Sequence, residues 1–538
     1  MRIPQPRVRD DCGTFHYGKP YFIASTALHT LLTGVSMDAN QRVGGTVMAS
    51  HYLDALLWLT PTNPFPVSRT GQTVVTYAFG GPGTYAVYDP ESTVDRITAT
   101  AWQSYEQQAT LKALQAWADV ANISFKPAAD FNSATWHLLT TSEAGMQAYF
   151  SGAKGIQAMS TLPFNYGPNY GEPEPNYTPG WAIFNTQGYG WTTAGLKPGG
   201  LGYVTLIHEV GHLLGLDHPW NEKGWYVDAR GAPLLDAGGN KIPEPYFPGA
   251  NAWNNTGDYG LNQGIFSTMG YTDGWNGQPA KGADYGYQKG PGAFDIAAVQ
   301  HLYGPNLTSH TGNDTYILPS ANTSGTGWLA IWDAGGTDTL SAANATGSAT
   351  IDLRPATLDP AGGTGAGGYV SWVKGIQGGF TIANPNGAAG AVIENAVGGA
   401  YADTINGNEA ANTLTGNGGN DTLNGFGGAD RIIGGRGADV MTGGAGADTF
   451  VFAQAAESAP GSKTRDIITD FSPGEDHIDL KGLGASRWID AAQFHQVVGE
   501  LRYGAGLLQA DINGDGKADF EIALQNSIAL QRSDVLLA

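Results

Sequence analysis

His208, Glu209, His212 and His218 fall within one short segment, H208-E-V-G-H212-L-L-G215-L-D-H218-P219. On an α-helix, residues four apart share a face, so His208 and His212 can offer two imidazoles to a single cation. Gly215 lets the chain leave the helix and turn back, which brings in His218 as a third ligand. Three neutral imidazoles and an open fourth position make a catalytic zinc arrangement rather than a closed structural one. Glu209 lies one helical step round from a ligand, suited to a water held by the metal rather than to the metal itself. Its role would be to take that water's proton and pass it to a leaving amine. A bare H-E-x-x-H arises by chance in about one chain per hundred of this length, and requiring Gly215 and His218 lowers that about three hundredfold.

A second chemistry lies downstream. Glycine recurs at 398, 407, 416, 425, 434 and 443, and seven residues after each stands Ile405, Leu414, Leu423, Ile432, Met441 or Phe450. Between them sit Asp403, Asn412, Asp421, Asp430, Asp439 and Asp448. A flexible glycine linker has no fixed apolar slot, whereas a nine-residue phase with one predicts a parallel β-roll of tight turns and short strands. Without a cation the stacked aspartates repel one another, so calcium between the turns becomes part of folding. W332-D333-A-G335-G336-T-D338-T-L340 has the same turn chemistry and opens the roll. Asp511, Asn513, Asp515 and Asp519 in D-I-N-G-D-G-K-A-D resemble the start of an EF-hand loop, but Ile522 stands where the twelfth-position Glu would be. An Asx-rich hairpin turn is the alternative there.

The elements that must position these groups are partly readable. Thr73–Phe79 is β-branched and aromatic, as a strand should be. Glu106 to Ala121 is an amphipathic helix with Leu111, Leu114, Trp117, Ala118 and Ala121 on one face. Ile123–Phe125, Trp136–Leu139 and Trp181–Phe184 are strands. Two further helices run from about Tyr203 to Leu214 and from Asp295 to Tyr303, each stopped by a glycine. Two short helices are expected at Tyr21–Val35 and Tyr52–Leu59. Strands and helices that alternate in this way predict an α/β domain. Beyond Asn306 helical periodicity fades, so the domains are read as a 1–72 extension or propeptide, a 73–306 catalytic domain and an all-β 307–538 domain. The chain carries 48 acidic against 27 basic residues, which argues against nucleic-acid or anionic-membrane partners. No window is long and apolar enough to span a membrane. Met1 to Lys19 lacks the apolar core of a secretion signal. Cys12 is the only cysteine, so no intrachain disulfide forms.

F266-S-T-M269-G-Y271 resembles the Met-turn of the metzincin peptidases, in which Met269 would pack beneath the zinc ligands and Tyr271 would be an extra, displaceable ligand. HEVGHLLGLDHP, STMGY, DIAAVQHLYGPN, IWDAGGTDTL, VIENAVGG, the nonapeptides and DIITDFSPGEDHIDL together resemble the serralysin family, over roughly residues 73–538. The resemblance implies an α/β metzincin catalytic domain followed by a parallel β-roll, and a secreted bacterial zinc endopeptidase acting on proteins and peptides. It implies one catalytic zinc and several structural calcium ions. Matching positions assign calcium to Asp333, Gly335, Gly336, Asp338 and Glu394. Through the repeats they assign it to Asp403, Gly416, Gly418, Asp421, Gly425, Gly427, Asp430, Gly434, Arg436, Asp439, Gly443, Ala445 and Asp448. Export by a type I secretion machinery, with Asp534-Val-Leu-Leu-Ala538 as an uncleaved signal, a proteinaceous inhibitor and a monomeric state are further implications.

This chain departs from the family in three places. About 50 residues separate His218 from Met269, including an aromatic, Pro-rich stretch from Trp220 to Gly257 expected near the cleft rim. The loop S309-H-T-G-N313-D314-T matches the first calcium loop imperfectly. The first 70 residues exceed a short propeptide, and Cys12 among them could ligate the zinc to hold the enzyme latent. A different class of function shares the same residues: a calcium-dependent surface or adhesion module with a vestigial or self-processing peptidase domain. A binding module has no need of Glu209.

Overall fold

The computed structural model describes residues 55–57, 71–87, 96–150, 152–161, 180–220, 238–241, 246–252, 254–275, 280–357, 369–383, 391–525 and 528–537. The helix expected at Tyr21–Val35, Cys12 and most of the stretch from 221 to 245 lie outside them.

The N-terminal half is built on seven strands: β1 (Thr73–Phe79), β2 (Gly83–Ala86), β3 (Arg96–Ala99), β4 (Ile123–Pro127), β5 (Trp136–Thr141), β6 (Ala158–Ser160) and β7 (Trp181–Asn185). Four helices accompany them: α1 (Ser104–Val120), α2 (Glu143–Tyr149), α3 (Leu201–Leu213) and α4 (Ala293–Tyr303). The main sheet runs β4-β1-β5-β7-β6, with all neighbours parallel except the outer strand β6, which is antiparallel to β7. β2 and β3 form a separate hairpin. A mostly parallel sheet needs covered faces, and α1 and α3 lie together against it, joined where Trp117 Nε1 donates to Ile207 O at 3.2 Å.

α1 begins with a capping box in which Glu106 Oε2 accepts from the Gln103 backbone N–H at 2.7 Å. Its buried face is Ala109, Thr110, Ala113, Leu114, Trp117 and Ala118. Leu111, expected on that face, is 40% exposed. It lies two residues before Ala113, about 200° round the helix. The apolar arc is centred on Ala113 and Trp117, which Leu111 does not share. α3 is apolar nearly all round, as a helix through the middle of a domain must be. It ends because Gly215 takes φ +95°, a left-handed conformation that suits glycine.

Ala55, Leu56 and Leu57 are buried in the same core. The Asp217 N–H donates to Leu56 O at 2.9 Å, and Leu57 forms an antiparallel bridge with Leu216. Part of the stretch read as an extension thus braces the exit of the zinc-site helix.

From Thr315 onward short strands stack into two sheets of eight and twelve. In the first, Asn395–Val397, Thr413–Thr415, Arg431–Ile433 and Thr449–Val451 are parallel, each advancing 18 residues. Thr404–Asn406, Thr422–Gly427 and Val440–Ala445 do the same in the second. A nine-residue repeat alternates between sheets, so like positions meet every second turn. Ile405, Leu414, Leu423, Ile432, Met441 and Phe450 are all 0% exposed, as their phase requires. In the second sheet the parallel stack gives way to antiparallel strands, Glu500–Gly504, Leu507–Asp511 and Phe520–Leu524, whereas the first ends on Val535–Leu536, parallel to His477–Asp479.

The two halves share one continuous core. Trp328 is fully buried at the join. Its N–H donates to Tyr287 O at 2.9 Å, and its carbonyl accepts from the Lys289 N–H at 2.7 Å. The Trp275 ring lies 5.6 Å from Trp328 and 5.3 Å from Trp372.

Candidate metal centres

α3 carries His208 and His212 one turn apart, and the Gly215 turn returns the chain so that His218 faces them. The His212 Nε2 atom is 3.1 Å from Nε2 of both His208 and His218, and the third separation is 3.3 Å. The tautomers follow from the other ring nitrogens. His208 Nδ1 lies 2.9 Å from Thr268 O, and His212 Nδ1 lies 2.8 Å from Leu216 O. A carbonyl only accepts, so these Nδ1 atoms carry protons and the two Nε2 atoms present lone pairs. Lone pairs this close repel one another unless a cation lies between them. Ligands at zinc–nitrogen distances of about 2.0–2.1 Å in tetrahedral array stand about 3.3 Å apart. The observed spacings fit zinc. Burial first, and then His212, lower the His208 pKa to about 3, which keeps this ligand neutral and available.

The supports of the triad are equally specific. Met269 is 0% exposed and lies against Gly211, where a Cβ would collide with its sulfur. Tyr271 Oη is 3.4 Å from His218 Nε2. Trp220 stacks on His218 with ring centroids 4.2 Å apart and meets Tyr271 at 4.4 Å. The start of the long aromatic stretch therefore forms a wall of the metal site. Glu209 is 1% exposed, and burial raises its pKa to about 7 while a hydrogen bond from Ser160 opposes the rise.

Sequence reasoning missed one anchor here. Asp295 Oδ2 accepts from Thr268 N and Oγ1, both at 2.6 Å, and from Gly292 N at 2.9 Å, while Oδ1 accepts from Ser267 Oγ at 2.7 Å. The carboxylate caps α4 and fixes Thr268, whose carbonyl orients His208. Its position in the first turn of a helix marked only a cap.

The second centre opens the β-roll. Asp314, Asp333 and Asp338 bring carboxylate oxygens within 4.8 Å of one another. They suit calcium, which takes oxygen ligands. Asp333 and Asp338 are expected ligands, with Gly335 and Gly336 between them. Asp314 was missed because its loop matched the family pattern poorly. Tyr316 Oη donates to Asp333 Oδ2 at 2.6 Å, and Glu394 Oε2 accepts from the Asp338 N–H at 2.7 Å.

Beyond it the acidic side chains form two columns. In one, the backbone N–H of Asp403 donates to Asp421 Oδ1, Asp421 to Asp439 and Asp439 to Asp466, at 2.7–2.8 Å. In the other, Asn412 donates to Asp430, Asp430 to Asp448 and Asp448 to Asp476, at 2.8–2.9 Å. The partner Oδ2 atoms of Asp338, Asp421, Asp430, Asp439, Asp448 and Asp466 are buried with no hydrogen bond. A Cβ at Gly416, Gly425, Gly434 or Gly443 would strike the Oδ2 of Asp421, Asp430, Asp439 or Asp448 respectively. Each turn is thus a cradle lined by an unsatisfied anionic oxygen, the chemistry calcium satisfies. Burial above all raises these pKa values, to about 7 at Asp421 and Asp430, about 6 at Asp439 and Asp448, and about 8 at Asp466.

Asp466 and Asp476 escaped the repeat pattern because their rungs come after 27 and 28 residues instead of 18. Asn412 sits in a column position but donates its own amide, to Glu394 O and Asn408 Oδ1, both at 3.1 Å. Gly418 bridges Arg436, and Gly427 pairs with Ala445, across adjacent turns. Asp511, Asn513, Asp515 and Asp519 instead turn back on their own loop. Asp511 accepts from Gly514, Asp515 and Gly516, and Asp519 from Ile512 and Asn513. These contacts within one loop are those of Asx turns.

Comparison with known proteins agrees with both centres. The model of the serralysin C-terminal domain of M10 peptidases matches residues 293–537, and the matrixin model of M10 peptidases matches residues 91–226. Metallopeptidase AprA of Pseudomonas marginalis is 32% identical over 476 residues, covering 84% of this chain and 85% of the relative. Serralysin G of Dickeya chrysanthemi is 33% identical over 451 residues, covering 80% and 79%. This chain belongs to the serralysin family of M10 metallopeptidases, and is a zinc endopeptidase with a calcium-binding β-roll.

Proposed function

We propose that Glu209 is the general acid/base of peptide-bond hydrolysis at the His208–His212–His218 site. The observation that carries this is the convergence of three Nε2 atoms within 3.3 Å on the helix that also holds a buried Glu209. Zinc held there supplies Lewis acidity toward the scissile carbonyl and lowers the pKa of a water. Glu209 takes the proton of the attacking water and delivers it to the departing amine. Tyr271, 3.4 Å from a ligand nitrogen, is the group that would donate its hydroxyl to the developing oxyanion. The substrate docks as an extended strand on the outer edge of β6, whose other edge pairs with β7. Casein hydrolysis by the wild type and by Glu209→Ala, with and without chelator, tests this. Equal activity in the two proteins refutes the assignment.

Two domains are proposed, residues 73–306 for catalysis and 307–538 for calcium, with residues 55–57 acting as part of the catalytic core. Calcium is assigned to the two aspartate columns and to the opening turn, with the carbonyls of Gly335, Gly336, Gly416, Gly418, Gly425, Gly427, Gly434, Arg436, Gly443 and Ala445. The chain acts outside the cell after type I export. A fold whose buried carboxylates need calcium stays open where calcium is scarce and closes where it is plentiful. The final strand, Val535–Leu536, pairs with His477–Asp479, so a signal there is readable only before folding. A proteinaceous inhibitor would enter along the same β6 edge.

A further inference from the structure

The zinc-site helix and the outer strand of the sheet meet at one side-chain hydrogen bond. The Ser160 hydroxyl donates to Glu209 Oε2 at 2.7 Å. Ser160 is the last residue of β6, and its backbone is in register with Ala182 of β7. β6 has a single sheet neighbour, so among the described residues one edge of the strand carrying Ser160 has no strand partner. Among the described residues no other group donates to the Glu209 carboxylate, although that side chain is 1% exposed. A carboxylate held at one oxygen keeps its plane, and the opposite oxygen, Oε1, is left for the reacting water.

We propose that Ser160 is a positioning residue for the catalytic base, fixing the Glu209 carboxylate from the strand that receives the peptide. This rests on the reading of Glu209 as the acid/base. Its physical content is that hydrolysis requires Glu209 Oε1 in reach of a water and, later, of the leaving nitrogen. An untethered glutamate spends most of its time in other rotamers. Because the tether starts on β6, any shift of that strand when a peptide adds to it carries the base along. A merely structural hydroxyl, present only to satisfy a buried carboxylate, would act on stability and leave turnover unchanged.

The test uses the full chain loaded with zinc and calcium, and a fluorogenic peptide carrying a cleavage sequence found in casein. kcat and KM are measured for wild type, Ser160→Ala, Ser160→Thr, Glu209→Gln and the Ser160→Ala/Glu209→Gln double variant, with zinc content and thermal midpoint for each. A hydrogen bond to a charged group predicts that Ser160→Ala lowers kcat about tenfold to a hundredfold. KM stays within about threefold, zinc content is unchanged, and Ser160→Thr, which keeps the hydroxyl, recovers most of the loss. In the Glu209→Gln background Ser160→Ala costs nothing further, because the two act as one unit. A Ser160→Ala kcat within about twofold of wild type, with Glu209→Gln inactive, overturns the role of Ser160 and leaves the base intact. A loss that Ser160→Thr does not recover, or that follows lost zinc, also overturns it. Full activity in Glu209→Gln removes the base assignment itself, and this inference with it.

Discussion

The two metal centres solve opposite electrostatic problems. At the zinc site the ligands are neutral imidazoles held by protein carbonyls, Thr268 O and Leu216 O, on a helix closed by its own hydrogen bonds. Its core of Leu206, Ile207, Val210 and Leu213 is fully buried without help from a cation. In the β-roll each three-residue strand brings about one large apolar side chain, and the rungs of Asp421, Asp430, Asp439, Asp448 and Asp466 each add a buried carboxylate oxygen with no hydrogen bond. The first region is a finished fold that receives a metal. The second is a set of anionic cradles that become a fold when a metal arrives. Ligand charge decides which: neutral donors cost little to bury, whereas unpaired carboxylates cost several kcal/mol each.

The largest expected effect separates these regimes directly. At pH 7.5, calcium withdrawal should unfold the roll, seen as loss of β-sheet circular dichroism and of the upper thermal transition. Each site saturated at about 100 Kd contributes about 2.7 kcal/mol, so several sites together match the stability of a domain. Zinc withdrawal should abolish activity and leave the same circular dichroism signal. A roll that keeps its spectrum without calcium would break the contrast.

Glu209→Gln should lower kcat about a thousandfold, about 4 kcal/mol of barrier, with zinc bound and the calcium-dependent transition unmoved. Retained peptidase activity, or lost zinc, would contradict it. Asp430→Asn should then raise the calcium midpoint of roll folding about tenfold. The same change at Asp515, whose carboxylate accepts from its own loop, should shift it less than twofold. Equal shifts at the two positions would mean that the Asx-turn loop is a calcium site of the same kind.

A pH series sharpens the comparison further. Asp421 rises from 3.8 unfolded to about 7 in the calcium-free fold. A carboxylate shifted upward stabilises the fold below the unfolded value and loses that contribution as pH climbs through the folded one. The calcium-free roll should therefore be most stable near pH 4 and least stable above about pH 7. Conversely, protons compete with calcium, so the calcium midpoint should rise about tenfold between pH 7.5 and 6. A flat calcium midpoint across that range would show that the columns are not the binding groups. At the zinc site an effect of similar size is expected from Tyr271→Phe, where loss of one hydroxyl should lower kcat about tenfold with zinc content unchanged.

Local sequence determined much of this protein. The 3.6-residue and nine-residue periods carry their own geometry, so the zinc helix, its glycine exit and the buried apolar column from Ile405 to Phe450 were legible before any coordinates. Where one turn or one repeat contains the whole interaction, spacing is enough. What only the tertiary structure decided are contacts between residues far apart in the chain. Asp295 fixes Thr268 from 27 residues away, Ser160 reaches Glu209 across 49, and Leu57 braces Leu216. Asp466 and Asp476 continue the carboxylate columns only because insertions loop out and let the backbone return in register. Asp314 joins Asp333 and Asp338 because parallel strands bring separate turns side by side. Periodicity records neighbours along one element, whereas packing chooses neighbours between elements, and no spacing rule encodes that choice.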